Sequence, residues 1–300
     1  MPISATLELD FTDPAILATR AVCAILDRSG QLDRPTLFTL MQEAHGGSAA
    51  DGAWSLRDAY DALEAGQVQH LLQAALPSSP VTTLAKLCDL VAALPTHTVR
   101  SELQVDLQQF STPLPIAFLA ARALYLTNAD VVLEPSAGTG LLAVFAHRAG
   151  ARLILNEIDP RRALLLGANF PEAGVMRHDG ELIDDLLAPE IRPTAVLINP
   201  PFSRSIGRGI DSVAGLRHLR AALSRLSPGG RCAVILPDRV QTDSDAWRIA
   251  TAGCGLTLHL LLPANAFARH RTHQPVKLLV LHKGRPAPAP WPPARPSMRP

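Results

Sequence analysis

The chain has 300 residues, of which 47% are hydrophobic and 18% charged, and its formal net charge is +1. This composition is typical of a globular protein with one large domain or a domain with a smaller partner, and its overall charge does not point to nucleic acid or a membrane as a partner. Residues 1–100 hold 6 Lys/Arg against 11 Asp/Glu, whereas the rest of the chain holds 22 against 16. The excess of basic residues therefore lies after residue 100.

The sequence carries no signal for secretion or membrane insertion. The N-terminus lacks the basic and apolar pattern of a signal peptide, and no apolar run reaches the ~18 residues expected of a membrane span. The cysteines lack metal-ligand spacing, which favours buried thiols in a reducing compartment. We expect a cytoplasmic protein with no metal site and no membrane partner; its cysteines are Cys23, Cys88, Cys232 and Cys254.

Residues 12–93 have the pattern of helices. The segments that begin at Asp13, Ser55 and Pro80 carry apolar residues at helical spacing and have capping residues or prolines at their ends. We predict a small all-helical region over residues 1–100, and we find no catalytic constellation in it.

From residue 113 onward, short branched strands alternate with helices of about ten residues, which predicts a parallel sheet covered on both faces. The last two strands, "LTLHLLLP" and "VKLLVLHK", are joined by a polar loop without a helix, so we expect an antiparallel hairpin. We therefore predict an α/β domain over residues 101–283 with a mostly parallel sheet. Residues 284–300 are rich in proline and are expected to form a disordered tail or linker.

The segment "VLEPSAGTGLLA", residues 132–143, places small residues between the first strand and its helix. Small residues let the backbone approach a ligand, and a helix N-terminus offers free N–H groups. Gly138, Gly140 and Ala143 fit a loose dinucleotide fingerprint, and Glu134 adds an acid at the strand end. The turn indicates a nucleotide-like cofactor without specifying which one, although a tight turn also uses glycines for steric reasons.

Acidic residues follow the next two strands. Glu157 is placed to accept hydrogen bonds from both ribose hydroxyls of an adenosine, and we prefer this role to a helix cap. For Asp159, which precedes Pro160, we prefer the helix cap. Asp179 either lies beside the adenine amine of the cofactor or forms an Asx turn before Glu181.

A buried strand ends in Asn199, Pro200, Pro201 and Phe202, and consecutive prolines cannot continue a helix or a central strand. The side-chain carbonyl of Asn199 and the backbone carbonyl of Pro200 can accept the two N–H bonds of an exocyclic nucleobase amine, which stabilises the positive charge that grows during attack. Phe202 either stacks on a flipped base or is a core phenylalanine. Phe267, in the loop between the last two strands, is a candidate second wall of the base pocket.

These stretches resemble the motifs of S-adenosylmethionine-dependent amino methyltransferases. Their order, with "QFSTP" at residues 109–113 before the Gly-rich turn, is similar to that of the gamma-type N6-adenine DNA enzymes. More narrowly, "QQFSTPLPIAFLAARAL", "VLEPSAGTGLLAVFA" and "NEIDPRRA" resemble the methyltransferase-like region of bacterial and phage strawberry notch-type proteins. The resemblance covers roughly residues 107–240 and says little about residues 1–100.

The resemblance implies a Rossmann-like class I methyltransferase sheet, S-adenosylmethionine as cofactor, and methyl transfer to the N6 amine of adenine in DNA. It also implies that Asn199, Pro200, Pro201 and Phe202 hold the target amine. The candidate cofactor-binding residues are Gln109, Phe110, Ser111, Thr112, Glu134, Ser136, Ala137, Gly138, Gly140, Glu157, Ile158, Asp179 and Gly180.

Two features depart from the gamma-type pattern, because only the Pro-rich tail follows the sheet and no helicase accompanies the motifs. We expect a free-standing or truncated module whose nucleic-acid recognition comes from the helical region or from a partner, such as a helicase in trans. The alternatives are methylation of the guanine N2 amine of RNA or of a protein glutamine amide, and a catalytically silent module that anchors a helicase on DNA. The arginines between residues 203 and 225 are either phosphate contacts or a solvated helix face.

Overall fold

The computed structural model describes residues 10–96, 111–202, 204–205, 209–263 and 275–284. The candidates Gln109, Phe110 and Phe267 lie outside these residues, as does the proline-rich segment from residue 285 onward. The helices of the described part are α1 (Pro14–Ser29), α2 (Arg34–His45), α3 (Leu56–Gln73), α4 (Pro80–Ala92), α5 (Leu114–Ala123), α6 (Ala143–Arg148), α7 (Pro160–Asn169), α8 (Ile183–Leu186), α9 (Ala214–Arg225) and α10 (Asp245–Ala250), with a short 3-10 helix at Gly180–Leu182.

The strands of the described part make one large sheet and one short pair. The large sheet has seven strands in the order β3-β2-β1-β4-β7-β9-β8, and β5 pairs with β6 separately. The strands are β1 (Val131–Glu134), β2 (Arg152–Asn156), β3 (Val175–Met176), β4 (Ala195–Ile198), β5 (Arg204–Ser205), β6 (Gly209–Ile210), β7 (Arg231–Pro237), β8 (Cys254–Leu261) and β9 (Val276–Lys283).

Strands β1, β2, β3, β4 and β7 pair in parallel, whereas β9 runs antiparallel to both β7 and β8. The prediction of a mostly parallel sheet with a C-terminal antiparallel hairpin is therefore confirmed. The short parallel strands read as continuous apolar runs because helices cover both faces of the sheet. Neighbouring residues of β1 illustrate this, since Val132 and Leu133 are both buried but belong to different core clusters.

Helix α3 is the central element of the N-terminal helical region. Residues 57–68 of this helix are all buried, so it has neighbours on every side. Val68 and Leu71 of α3 pack in the same cluster as Leu114 of α5 and residues of the sheet. The helical region thus shares a hydrophobic core with the α/β part, and the domain boundary at residue 100 stays a prediction.

Three local features differ from the sequence expectations. Helix α2 was not predicted, although Asp33 caps its start and Gly46 ends it in a left-handed conformation. The strand pair β5–β6 follows the Pro-Pro turn and was not predicted either. The expectation of buried thiols is wrong for Cys88, which is exposed on α4. In the part of the chain that the structure describes, no helix has both the length and the apolar character to cross a membrane.

Candidate active site

The predicted site residues gather at one edge of the sheet. Strands β1, β2 and β4 are parallel, so their carboxyl ends meet where Glu134, Glu157 and Asn199 are placed. From β1 the chain continues to β2 on one side, whereas β4 lies on the other side of β1. This change of direction is the topological switch point at which open α/β sheets bind their ligands.

Gly138 and Gly140 shape the turn after β1. Their φ angles are 57° and 99°, which glycine adopts much more readily than other residues. A Cβ at Gly140 would lie 2.5 Å from the ring of Phe170, so close packing also requires this glycine. Among the residues that the structure describes, a Cβ at Gly138 would have only Nη1 of Arg162 within 4 Å, at 3.6 Å. Gly140 is therefore required because Phe170 packs closely against it. Gly138 is the glycine that leaves the backbone accessible to a ligand.

Glu157 joins this turn to the end of β2. Its carboxylate accepts hydrogen bonds from the backbone N–H groups of Gly138 at 2.7 Å and Asp159 at 2.8 Å. Glu157 is 5% exposed, and burial raises the pKa of its carboxyl although the charge of Arg162 and the two N–H bonds lower it. A carboxylate has about four acceptor positions, so these two bonds use about half of them.

Glu134 is buried beside Glu157. Burial, and then the charge of Glu157, raise the pKa of the Glu134 carboxyl well above its ordinary value. Among the described residues, none donates a hydrogen bond to Oε2 of Glu134. Two interacting buried acids, one of which has an oxygen without a donor, form an environment that favours a cationic ligand.

Asn156, the last residue of β2, was not among the candidates and ties three strand ends together. Its Nδ2 donates to the backbone carbonyls of Pro135 and His178, each at 2.9 Å, and its Oδ1 accepts the N–H of His178 at 2.8 Å. The backbone carbonyl of Asn156 accepts the N–H of Ala137 at 2.9 Å. These bonds fix the turn after β1. The signal in the sequence that could have indicated this role of Asn156 is a single amide side chain at the end of an apolar strand.

Asp179 forms the Asx turn that the sequence left open, because its side chain accepts the N–H of Glu181 at 3.0 Å. Gly180 lies directly against the turn after β1, since a Cβ there would be 2.7 Å from the carbonyl of Pro135 and 3.1 Å from Oγ of Ser136. His218 of α9 was not predicted but lies beside Gly180, and burial lowers the pKa of its imidazole. The fold therefore brings Asp179 to the same edge as the Gly-rich turn.

The Pro-Pro turn is hydrogen-bonded to the segment before α5. Nδ2 of Asn199 donates to Oγ1 of Thr112 at 2.9 Å. Thr112 is 5% exposed, so little water competes for this bond. Because the amide nitrogen is engaged by Thr112, the plane and direction of the Asn199 amide are fixed. Two motifs that are far apart in the sequence thus form one unit.

Phe202 is a core side chain in this structure. It is 3% exposed and belongs to the same cluster as residues of α5 and α6. Its backbone carbonyl accepts a hydrogen bond from Nη2 of Arg239 at 2.7 Å, which holds the end of the turn. The structure thus shows the core alternative, and stacking of the ring on a base stays a prediction.

Exposure separates the remaining candidates. Partly exposed side chains can contact a ligand directly, whereas buried ones contribute through the backbone or through neighbours. Those partly exposed are Ser111, Ser136, Ile158, Asp179, Asn199 and Pro201, together with the backbone of Gly138; those buried are Ala137, Gly180 and Pro200.

A buried charged network lies behind the Gly-rich turn and was not predicted. Nε and Nη2 of Arg162 lie 2.9 and 2.8 Å from Oδ1 of Asp61. Nη2 of Arg57 lies 2.5 Å from Oδ2 of Asp159, whose other oxygen caps α7 at the N–H groups of residues 161 and 162. The cap prediction for Asp159 is confirmed. The signal in the sequence that could have indicated this network is the spacing of Arg57, Asp61 and Glu64, which places them on one face of α3.

Two of the arginines between residues 203 and 225 have intramolecular partners. Arg217 forms ion pairs with Glu181 and Asp211. Arg225 donates from Nη2 to the backbone carbonyl of Ile191 at 3.0 Å. These two side chains serve the fold, so the phosphate-contact interpretation loses support at both positions.

Solved methyltransferases share this fold. One is a putative class I S-adenosylmethionine-dependent methyltransferase from Listeria monocytogenes, with a TM-score of 0.50 and 14% identity over 92% of this chain and 90% of that chain. A type I restriction-modification system methyltransferase subunit from Streptococcus thermophilus has a TM-score of 0.51 and 21% identity, over 89% of this chain and 69% of that one. The chain therefore has the class I methyltransferase fold.

A third similar structure is a modification subunit of a putative type I restriction enzyme from Vibrio vulnificus YJ016, with a TM-score of 0.52 and 16% identity. The match covers 77% of this chain and 54% of the Vibrio protein, so the chain spans about half the length of that protein. The sequence matches no protein-family model and no curated protein sequence. At such low identities the structural similarity establishes the fold and assigns no substrate.

Proposed function

We propose that the chain is an S-adenosylmethionine-dependent methyltransferase that acts on the exocyclic N6 amine of adenine in DNA. The observation that carries this proposal is the hydrogen bond between Asn199 and Thr112 at the switch point of the sheet. It holds an amide acceptor in one orientation at the edge where Gly138 and Glu157 form a nucleotide-type turn.

The residues present fit this cofactor. Glu157 has acceptor capacity for ribose hydroxyls, and Gly138 leaves room for a close approach to the backbone. S-adenosylmethionine carries a sulfonium and an ammonium group, and burial raises the pKa values of the Glu134 and Glu157 carboxyls, so a cation bound beside them would stabilise their ionised forms. Oε2 of Glu134, which has no donor among the described residues, is the acceptor we assign to the cofactor's cationic portion.

The chemistry that this chain contributes is the activation of a weak nucleophile. The lone pair of an aryl amine is delocalised into its ring, and acceptors at Asn199 and Pro200 draw the N–H bonds toward a pyramidal geometry. When bound, the cofactor would supply an electrophilic methyl group, which would accept the amine electron pair as the C–S electron pair returns to the sulfur of a neutral thioether. The extra amine proton is then released to solvent. No residue of the chain needs to form a covalent bond.

Two considerations favour a nucleic-acid amine over a protein amide. The sequence motifs resemble gamma-type adenine enzymes, and two of the similar structures are subunits of type I restriction systems. The fold itself is equally compatible with an RNA guanine or a glutamine amide. A helicase domain or protein as a partner, which the resemblance implies, stays a prediction.

The proposal is tested by labelled methyl transfer to unmethylated DNA, RNA and protein in parallel, with wild type and Asn199→Ala. We expect transfer to adenine in DNA, and we expect Asn199→Ala to lower the rate by about 10²–10³ because one preorganised acceptor is lost. Asn199→Asp should retain part of the activity, since a carboxylate also accepts. Affinity for S-adenosylhomocysteine, measured by calorimetry, should change little in either variant.

Three results would contradict the proposal in different ways. Transfer to RNA or to protein alone would replace the substrate and keep the chemistry. Undiminished transfer by Asn199→Ala would refute the role of the amide. A wild type that transfers no methyl group to any amine, and binds DNA equally before and after the substitution, would establish the silent binding module.

A further inference from the structure

We propose that Glu64 of α3 is a positioning residue for both loops that flank the cofactor site, so that the N-terminal helical region is part of this site. This inference rests on the proposed function and concerns the part of the chain to which the sequence motifs assign no role. Glu64 is 1% exposed and lies on the face of α3 that points toward the α/β part.

The first contact joins Glu64 to the segment that orients Asn199. Oγ of Ser111 donates to Oε2 of Glu64 at 2.6 Å. The next residue is Thr112, which accepts the hydrogen bond from Asn199. Glu64 and Thr112 also line the same small cavity, of about 30 Å³, between α3 and the start of α5. The position of this segment therefore depends on a carboxylate that comes from α3.

The second contact joins the same carboxylate to the Gly-rich turn. Oγ1 of Thr139 donates to Oε2 of Glu64 at 3.2 Å. Thr139 is 2% exposed and follows Gly138, whose N–H is bonded to Glu157. One oxygen atom of α3 thus bridges the turn after β1 and the segment before α5.

Arg162 lies beside this buried acid. Its Nη2 lies 4.0 Å from Oε2 of Glu64 and 3.4 Å from Oγ of Ser111, and the guanidinium is bonded to Asp61 as well. Burial would lower the pKa of Arg162, but Asp61, Glu64 and Glu157 together raise it above its ordinary value. Arg162 therefore lies between the acids of α3 and the acid that we assign to the ribose. A cation and hydrogen-bond donors of this kind offset the cost of burying acidic side chains.

The inference is tested with Glu64→Gln, which keeps the shape of the side chain and removes its charge. The matched control is Arg161→Gln, which breaks an ion pair to Asp58 across the same interface between α3 and α7. In the part of the chain that the structure describes, this side chain forms no hydrogen bond or ion pair with either loop. Ser111→Ala removes the donor from the opposite side and serves as a second test variant, because Ser111 is partly exposed and its loss leaves the ion pairs in place.

Two measurements are made on each protein. Hydrogen exchange on the cofactor-free chain should show faster exchange at residues 111–114 and 136–140 in Glu64→Gln and Ser111→Ala, and wild-type rates in Arg161→Gln. Calorimetry with S-adenosylhomocysteine should show affinity roughly three- to tenfold weaker in both test variants, because Glu64→Gln replaces a carboxylate acceptor by a weaker amide acceptor and Ser111→Ala removes one hydrogen bond. In turnover, KM for S-adenosylmethionine should rise by a similar factor while kcat changes less.

The outcomes separate this inference from the proposed function. Wild-type exchange rates and unchanged affinity in both test variants would overturn the inference and leave the methyltransferase proposal intact. A wild type that does not bind S-adenosylhomocysteine would overturn the proposed function, while the exchange comparison would still decide whether Glu64 holds the loops. If Arg161→Gln changed exchange and affinity as much as Glu64→Gln, the effect would be one of general stability and the positioning role would be wrong.

Discussion

Asn199 and Thr112 are 87 positions apart in the chain, yet the side-chain amide of one donates to the hydroxyl of the other at 2.9 Å. Because Nδ2 of Asn199 donates to Thr112, the orientation of the Asn199 amide is fixed before a substrate binds. Preorganisation of this kind lets an acceptor act on developing charge without reorganising during the reaction.

The variant Thr112→Val tests this relationship. Valine has nearly the shape of threonine but cannot accept the Asn199 bond, so we expect kcat for methyl transfer to fall about three- to tenfold. Affinity for S-adenosylhomocysteine should fall less than kcat. The matched control is Thr83→Val. Thr83 is another buried threonine, on α4, and its hydroxyl donates to the carbonyl of Pro77 at 2.8 Å. Equal kinetic effects of the two substitutions would show that the Thr112 bond has no catalytic role.

Glu157 should be required for cofactor affinity. A hydrogen bond to a charged acceptor contributes about 1.5–3 kcal/mol and one to a neutral acceptor about 0.5–1.5 kcal/mol, so Glu157→Gln should weaken S-adenosylhomocysteine binding about five- to tenfold. Glu157→Ala should also lower the melting temperature, because the backbone N–H groups of Gly138 and Asp159 lose their acceptor. Glu172→Gln, at an exposed acid, serves as the charge-matched control. Calorimetry that finds the same affinity in wild type and Glu157→Gln would remove Glu157 from the ribose role.

Glu134 should make the cofactor-free protein less stable as the pH rises. Its folded-state pKa is raised well above 4.5, so the unfolded chain releases the proton first when the pH increases. Glu134 therefore lowers the free energy of unfolding by an amount that grows as the pH rises from about 4.5 to the raised pKa. Above that pKa the loss of stability is constant. Glu134→Gln removes this contribution, so the variant should melt at a higher temperature than wild type near pH 8, and the gap should narrow toward pH 5.

Thermal melts across this pH range check the prediction, with Glu43→Gln at an exposed position of α2 as the control. The same Glu134→Gln variant should bind S-adenosylmethionine more weakly, because an acceptor for its cationic portion is lost. Stability curves of wild type and Glu134→Gln that run parallel with pH would refute the raised pKa of Glu134.

Arg162 should carry a large share of the stability of the interface between α3 and α7. Removing one partner of a buried ion pair costs about 3–5 kcal/mol, so Arg162→Met should lower the free energy of unfolding by that amount. The side chain of Arg161 is 65% exposed, so Arg161→Gln should lower the free energy of unfolding by only about 0–1 kcal/mol. Urea unfolding of both variants measures the difference.

A second substitution sharpens this test. Adding Asp61→Asn to Arg162→Met removes a buried acid that would otherwise lack its cation, so part of the lost stability should return. If the double variant were instead less stable by the sum of the two single effects, Asp61 and Arg162 would be independent and the network would not act as a unit.

Signals that act within a few residues were sufficient to predict much of the fold. Asp13 and Ser55 cap α1 and α3 as expected, because their side chains accept N–H groups that a helix N-terminus leaves without partners. The alternation of branched strands and helices predicted the parallel sheet, and the edge of that sheet brought Glu134, Glu157 and Asn199 together. The cap at Asp33 is equally local, so the same kind of signal is sufficient to predict α2.

Features that depend on which surfaces meet could not be predicted in this way. The charged residues Arg57, Asp61 and Glu64 have the spacing of a solvated helix face, and nothing local indicates that a second charged helix covers them. Phe202 has the same neighbours in the sequence whether its ring faces a base or the core. The pairing of Thr112 with Asn199 likewise follows from the packing of α5 against the sheet and not from either motif alone.

The burial of α3 also has a consequence for the order of events during synthesis. Asp61 leaves the ribosome 101 positions before Arg162, its buried partner. At translation rates of about 5–20 residues per second, this interval lasts about 5–20 seconds. During that time the acids of α3 are best accommodated in water, which opposes the burial of the helix. We therefore expect the N-terminal helices to stay solvated and incompletely packed until Arg162 has been synthesised. Their core should then form together with the second strand of the sheet.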